Sequence, residues 1–187
     1  MHNELDGSWK IDVRRDDQSL VWALWIRAAE RIDVPADDAV PGPLDIDVLP
    51  EPSTGGSSGL GPQWLRWWHR LLSVRDDPRA GIPEPAGAPG LQAVAQRRRP
   101  EAEAWRRSAV TSEAERDADR DATWQVIDEV TRSIGRRPRP FVIEIFTVPV
   151  RDDSVRTVGS NRYLVADRLV ATPAWHAHLD RMIREVA

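Results

Sequence analysis

Two aspartates and a glutamate are the residues of this 187-residue chain whose spacing could support catalysis. Asp45 and Asp47 alternate with apolar residues over Leu44–Val48, which predicts a β-strand. Side chains two apart on a strand point to the same side of the sheet, and two carboxylates placed so can bridge a divalent cation. Glu144, which lies in a strongly apolar segment, could supply a third oxygen ligand. One hypothesis is therefore a metal-dependent enzyme with Asp45, Asp47 and Glu144 as catalytic residues.

The order of the short motifs argues against that enzyme. An Asp-x-Asp pair on a strand is similar to the metal-binding pair of nucleotidyltransferase-like or nuclease-like enzymes. Nucleotidyltransferases, however, carry a Gly-Ser pair at a helix start after their first strand, whereas here Gly7-Ser8 precedes the first predicted strand and Gly56-Ser57 follows the Asp pair. Carboxylates of this kind are also typical of the solvated face of an edge strand. The sequence as a whole favours a non-enzymatic protein over an enzyme.

Other catalytic motifs are missing from the sequence. The chain has no cysteine, and Lys10 is its only lysine. Neither a Gly-x-Ser-x-Gly nucleophile elbow nor a glycine-rich phosphate loop occurs. His176 and His178 are two apart in a predicted helix, so their rings point to different sides and cannot chelate one metal. We expect no cofactor and no histidine-based metal site.

Charge is distributed unevenly along the chain. Between Ile32 and Leu65 there is no Lys or Arg, whereas six residues are acidic. Because a field that is not cancelled locally attracts an opposite charge, Asp37, Asp38, Asp45 and Asp47 are predicted to bind a protein with a basic surface. Clusters of arginine occur at 97–99 and 132–139, but the net charge of −4 argues against a nucleic-acid partner.

Tryptophan is unusually abundant, with nine residues against two Phe and one Tyr. Trp22, Trp124 and Trp175 fall on apolar faces of predicted helices, so they are expected in the core, as is Trp9 of the first predicted strand. Trp67 falls at the edge of the apolar stripe of its helix and is predicted to be an exposed anchor for a partner. Together with the acidic segment Asp33–Glu51, Trp67 favours a small, non-enzymatic interaction protein, such as an adaptor or an immunity-like binding protein.

Periodicity predicts a mixed α/β fold. The predicted strands are 8–14, 44–48, 141–148, 155–158 and 163–166, with 141–148 at the centre of the sheet because it is apolar on both faces. The predicted helices are one from Asp16 or Asp17 to Ile32, 63–74, one from Leu91 that Pro100 interrupts, a pair within 101–134 divided at Ser112, and one that starts at Pro173. This order fits a mixed sheet of four to five strands flanked by helices. We expect a single domain over 1–187, with flexible Pro- and Gly-rich loops at about 50–62 and 76–90.

The chain combines a predicted tryptophan-rich helix, Gln63–Val74, with the predicted strands Val142–Val150 and Tyr163–Ala166 and a closing amphipathic helix. Over about half its length it resembles uncharacterised proteins of high-GC actinobacteria. The resemblance implies a bacterial origin and carries no activity or site residues.

The acidic N-terminus is unlike a signal peptide, and the longest apolar run, Leu20–Ile26, is too short for a membrane helix. A cytoplasmic protein without a membrane partner is therefore expected.

Overall fold

The computed structural model describes residues 10–15, 17–53, 59–73, 83–108, 124–126, 128–130, 132–133, 140–170 and 172–186. Contacts within the chain group its residues into two compact units. Unit 1 comprises Met1–Arg15, Thr111–Thr147 and Asp153–Ala187, and unit 2 comprises Asp16–Val110 and Val148–Asp152. The prediction of a single domain over 1–187 stays a prediction.

Unit 1 is built on a four-stranded mixed sheet, which confirms the predicted fold class. Its strands are β1 (Lys10–Arg14), β2 (Val142–Val148), β3 (Val155–Gly159) and β4 (Arg162–Ala166). Their order across the sheet is β1-β2-β4-β3, with β1 parallel to β2 and β3 antiparallel to β4. The predicted strand residues Ser8 and Trp9 lie outside the described residues.

Strand β2 occupies a central position in the sheet, as its composition predicts. Ile143 and Ile145 are fully buried, and so are the last residues of the strand. The first half is not apolar on both sides, because Val142 is exposed and Glu144 is engaged by arginines. The hairpin that joins β3 to β4 turns through Asn161 at φ 56°, a left-handed conformation that asparagine tolerates better than most residues.

The C-terminal helix buries one apolar face, as the sequence predicts for a closing amphipathic helix. A short helix α4 (Asp167–Val170) precedes α5 (Pro173–Val186), whose Trp175, Leu179, Met182 and Ile183 are buried.

The described residues between 124 and 133 are also helical. Trp124, which was expected in the core, is 48% exposed, so that expectation is wrong: it lies on the solvent side, whereas Val126 and Val130 face inward.

The described residues of unit 2 form three helices, α1 (Gln18–Ala29), α2 (Leu60–Ser73) and α3 (Pro89–Ser108), and α1 packs against both others. Asp17 caps α1 as predicted, since its carboxylate accepts hydrogen bonds from the backbone N–H groups of Ser19 and Leu20 at 2.9 and 3.1 Å. The α1 residues are buried nearly all around. This agrees with a helix covered on more than one side.

Helix α3 continues through Pro100, so the predicted break is wrong. Proline removes one backbone hydrogen bond and crowds the preceding turn. Packing on either side of Pro100 outweighs this cost: Ala95 and Ala102 are buried, and Arg98 is fixed by a buried ion pair to Glu30.

Candidate functional site

The segment 33–51, hereafter the acidic loop, connects the end of α1 to the segment before α2. Its predicted strand at Leu44–Val48 is wrong, because only Leu44 forms a bridge, antiparallel to Val150. Pro43 and Pro50 bound the stretch and cannot donate to a ladder. Leu44 is buried whereas Val48 is 81% exposed, so the alternating residues do not share one covered face.

The acidic loop is fastened to the rest of unit 2 along its length. A side chain at Gly61 of α2 would collide with the backbone oxygen of Asp33, so the close approach requires glycine there. Farther along the loop, Arg27 donates to the carbonyl oxygens of Pro41, at 2.8 Å, and of Gly42. Three more contacts involve the indole of Trp68 with Ala39, the carboxylate of Asp152 with the N–H of Gly42, and the guanidinium of Arg151 with the carbonyl of Ile46.

Two of the four predicted binding aspartates have side-chain partners that the sequence pattern did not reveal. Asp37 accepts a hydrogen bond from the N–H of Ala39, and its other oxygen lies 3.0 Å from Nε2 of His69. Asp45 is 3.3 Å from Nε of Arg151. Both partners come from outside the acidic segment, so counting charges within it could not find them.

Asp38 and Asp47, the other two predicted binding aspartates, are exposed. They lie on the same loop as Asp37 and Asp45, so the structure keeps all four in unit 2.

Trp67 is buried, and the expectation of an exposed anchor there is wrong. Its side chain is only 2% exposed, and its indole N–H donates to the carbonyl of Pro83 at 2.9 Å. Its ring meets that of Trp22 edge to face, with 5.2 Å between centroids. The edge of the α2 stripe is covered because α2 contacts both α1 and α3, which a single helix pattern does not show.

The large apolar side chains that the acidic loop exposes are Val48 and Leu49. Val48 is 81% exposed and Leu49 is 38% exposed. They stand between Asp47 and Glu51, which are also exposed. Sequence reasoning missed them because it placed Val48 on a half-buried strand; the flanking prolines were the signal that could have found them.

Glu144, the third carboxylate of the metal hypothesis, lies in unit 1, whereas Asp45 and Asp47 lie in unit 2. Its two oxygens are 3.3 Å from Nη2 of Arg14 and 2.9 Å from Nε of Arg162. Both guanidinium groups also lie over the ring of Phe146, at 5.6 and 5.1 Å from its centroid. Within the described part of the chain, no three His, Cys, Asp or Glu side chains form a group that could hold a metal ion.

A groove of about 420 Å³ lies beneath the acidic loop, hereafter the arginine groove. Its size falls in the range of small-molecule sites. Arg27, Arg31 and Arg151 contribute to its wall. The remaining lining residues are apolar or contribute backbone: Ala28, Ile32, Val34, Val40, Pro41, Gly42, Pro43, Leu44, Ile46 and Leu49.

A buried ion pair holds the far end of the acidic loop. Glu30, which ends α1, accepts from Nε of Arg98 at 2.6 Å and from the hydroxyl and N–H of Ser53 at 2.6 and 3.0 Å. Arg98 also donates to Glu101 and to the backbone oxygen of Glu51. Burial acts to raise the pKa of Glu30, but the hydrogen bonds from Ser53 and Arg98 outweigh it and the pKa is lowered.

Comparison with known proteins adds no family assignment: no protein-family model, no curated protein and no solved structure matches the chain. Within the described ranges, no helix has the length and apolar character needed to cross a membrane.

Proposed function

We propose that this protein is a small cytoplasmic, non-enzymatic interaction protein that binds a basic protein partner with its acidic loop. The observation that carries the proposal is the exposed pair Val48 and Leu49 beside Asp47 and Glu51. These apolar side chains take the anchoring role that the sequence pattern had given to Trp67.

Charge and apolar area act together in such a surface. Exposed carboxylates steer a basic partner and favour its encounter, but screened surface charges contribute little affinity by themselves. Burying Val48 and Leu49 removes apolar area from water, which stabilises a complex by about 25 cal/mol per Å² before the entropic cost of association. The partner that fits is a protein whose apolar patch is surrounded by Arg or Lys.

The fastening of the loop also supports this function. Hydrogen bonds from Arg27 and Arg151 hold the loop backbone at Pro41, Gly42 and Ile46. A segment that is already ordered loses less conformational entropy when it binds. Binding should therefore occur with little rearrangement of unit 2.

The experiment is affinity capture from a bacterial lysate with quantitative mass spectrometry, using the intact chain and three variants. Val48→Ser removes the anchor, and Asp38→Asn/Asp47→Asn removes two loop charges. Asp128→Asn/Glu129→Gln is the matched control, because it makes the same change of net charge on exposed residues of unit 1. Support consists of one basic protein that wild type and control retain and both loop variants lose, with retention that falls as salt rises. A protein retained equally by all four chains would refute the proposal.

A further inference from the structure

We propose that a small pocket between α1 and α3 binds a halide ion, with chloride as the abundant biological case. The pocket, hereafter the halide pocket, is lined by residues 18–22 of α1 and 99–106 of α3. None of its described lining residues belongs to the acidic loop, so the site goes beyond the protein-binding function proposed above. The proposal rests on the hydrogen-bond donors, the charge and the size of the pocket.

Two residues that line the pocket carry buried N–H groups with no hydrogen-bond partner in the described part of the chain. One group is the indole Nε1 of Trp22, a residue that is 4% exposed, and the other is Nε of Arg106. Both groups can only donate, and a buried donor that stays unpaired costs free energy. A ligand that accepts from both N–H groups would remove this cost.

The charge of the lining residues favours an anion as the acceptor. Nε of Arg99 lies 3.0 Å from Oε1 of Glu103, so these two opposite charges offset each other. Arg106 adds a further positive charge, and Glu103 is the one acidic residue among the described lining residues. A net positive charge in a half-buried position attracts an anion more strongly than it attracts a neutral molecule.

The size of the pocket limits the anion to a single heavy atom. Its volume is about 10 Å³, which is room for about one water-sized sphere. Carboxylates, phosphate and sulfate have several heavy atoms and exceed this space. Water fits the space but lacks the charge, whereas a halide ion has the size, the charge and the capacity to accept from both donors.

A bound halide would link the two helices that line the pocket. Trp22 belongs to α1 and Arg106 to α3, so one donor comes from each helix. An ion that binds only the folded chain stabilises it by mass action. The packing of α1 against α3 should therefore become more stable as the chloride concentration rises.

The test is chlorine NMR of dissolved chloride with the intact chain, because the chloride line broadens when the ion exchanges with a protein site. We expect the chain to broaden the line, and we expect bromide to reverse the broadening by competition. Gluconate, which is too large for the pocket, should not reverse it when the total ionic strength is kept constant. Absence of broadening would mean that the pocket holds water only, and equal reversal by gluconate would mean that chloride is merely held at the surface; either result overturns the proposal.

Matched variants locate the site. Trp22→Phe keeps an aromatic ring but removes the N–H, and Trp25→Phe is its control. Trp25 lies on the same helix, is 3% exposed and also has a buried, unpartnered Nε1, yet it is not among the described lining residues. Trp22→Phe and Arg106→Gln should each weaken chloride binding by at least about tenfold. Trp25→Phe and Arg107→Gln, a change at the exposed neighbour of Arg106, should leave chloride binding unchanged.

Circular dichroism shows whether each variant is folded. If Trp22→Phe does not fold, the comparison of Arg106→Gln with Arg107→Gln decides, because neither arginine belongs to the buried core. Broadening by Arg106→Gln that equals that of wild type would overturn the proposal. So would an equal loss of broadening in Trp22→Phe and Trp25→Phe, since the effect would then come from the packing of α1 and not from the pocket.

Discussion

Removing the carboxylate of Glu30 is the perturbation whose consequence the structure specifies most fully. Glu30 is 4% exposed and Arg98 is 8% exposed. Glu30→Ala deletes the 2.6 Å contact to Arg98 and leaves both donors of Ser53 without their acceptor. Arg98 keeps Glu101 and the backbone oxygen of Glu51, but its Nε loses its partner in a region that water does not reach easily.

The expected cost follows from leaving a buried charge without its main partner. Breaking a buried ion pair by removing one member costs about 3–5 kcal/mol. The free energy of unfolding of a domain is about 5–15 kcal/mol, so this single change removes a large share of the stability. Glu103→Ala is the control, on the helix that carries Arg98, because the ion pair of Glu103 with Arg99 is exposed and is worth less than about 1 kcal/mol.

The assay is urea unfolding of wild type, Glu30→Ala and Glu103→Ala, followed by circular dichroism and analysed by linear extrapolation. The reasoning predicts a large fall in midpoint for Glu30→Ala and almost none for Glu103→Ala. If both variants lie within about 0.5 kcal/mol of wild type, the buried pair does not hold the loop and α3 to α1.

Three further predictions can be checked with the same urea unfolding assay. Because the fold lowers the pKa of Glu30, the stability that its carboxylate contributes is complete above the ordinary carboxyl pKa of 4.5 and declines as pH falls through the lowered pKa. Urea midpoints measured from about pH 7 to about pH 3 should therefore decline less for Glu30→Gln than for wild type. An equal decline in the two proteins would contradict this link between the protonation of Glu30 and stability. Trp67→Ala should lower the free energy of unfolding by about 3–5 kcal/mol. A change near zero in urea unfolding would mean that Trp67 is exposed and not part of the core. Ile143→Ala should cost about 2–5 kcal/mol in the same assay, and a surface-like value would contradict the central position of β2.

Most of the secondary structure could be predicted because local signals agree with the tertiary environment. Asp17 caps α1 where a carboxylate precedes an apolar periodic run, and Pro173 starts the last helix. Strand β2 was recognisable as central because nearly all positions of 141–148 are apolar, as in a strand that is covered on both faces. In these segments the local preference and the packing lead to the same conformation.

The incorrect expectations concern contacts between elements, which no single pattern encodes. Trp67 lies at the edge of the α2 stripe, and it is buried among residues of other segments, which include Trp22 of α1 and Pro83. Pro100 disfavours helix locally, but packing around Arg98 keeps α3 continuous. The strand predicted at Leu44–Val48 had the right alternation but lacked a partner beyond the bridge to Val150.

The candidate site was predicted only in part for a similar reason. The excess of acidic residues was visible in the sequence, and the loop that carries them is exposed at Asp38 and Asp47. The arginine groove could not be predicted, because Arg27, Arg31 and Arg151 come from two distant parts of the chain. Their convergence depends on the path of the acidic loop.

The most direct test of the proposed function is site-specific photo-crosslinking in bacterial cells, with benzoylphenylalanine placed at position 48 of the intact chain and, as control, at position 66. The proposal predicts that position 48 crosslinks to one basic protein, that position 66 does not, and that Asp38→Asn/Asp47→Asn reduces the crosslink several-fold because it weakens electrostatic steering. The absence of a crosslink at position 48, or the same crosslinked proteins from both positions, would contradict the assignment of Val48 and the acidic loop as the binding surface.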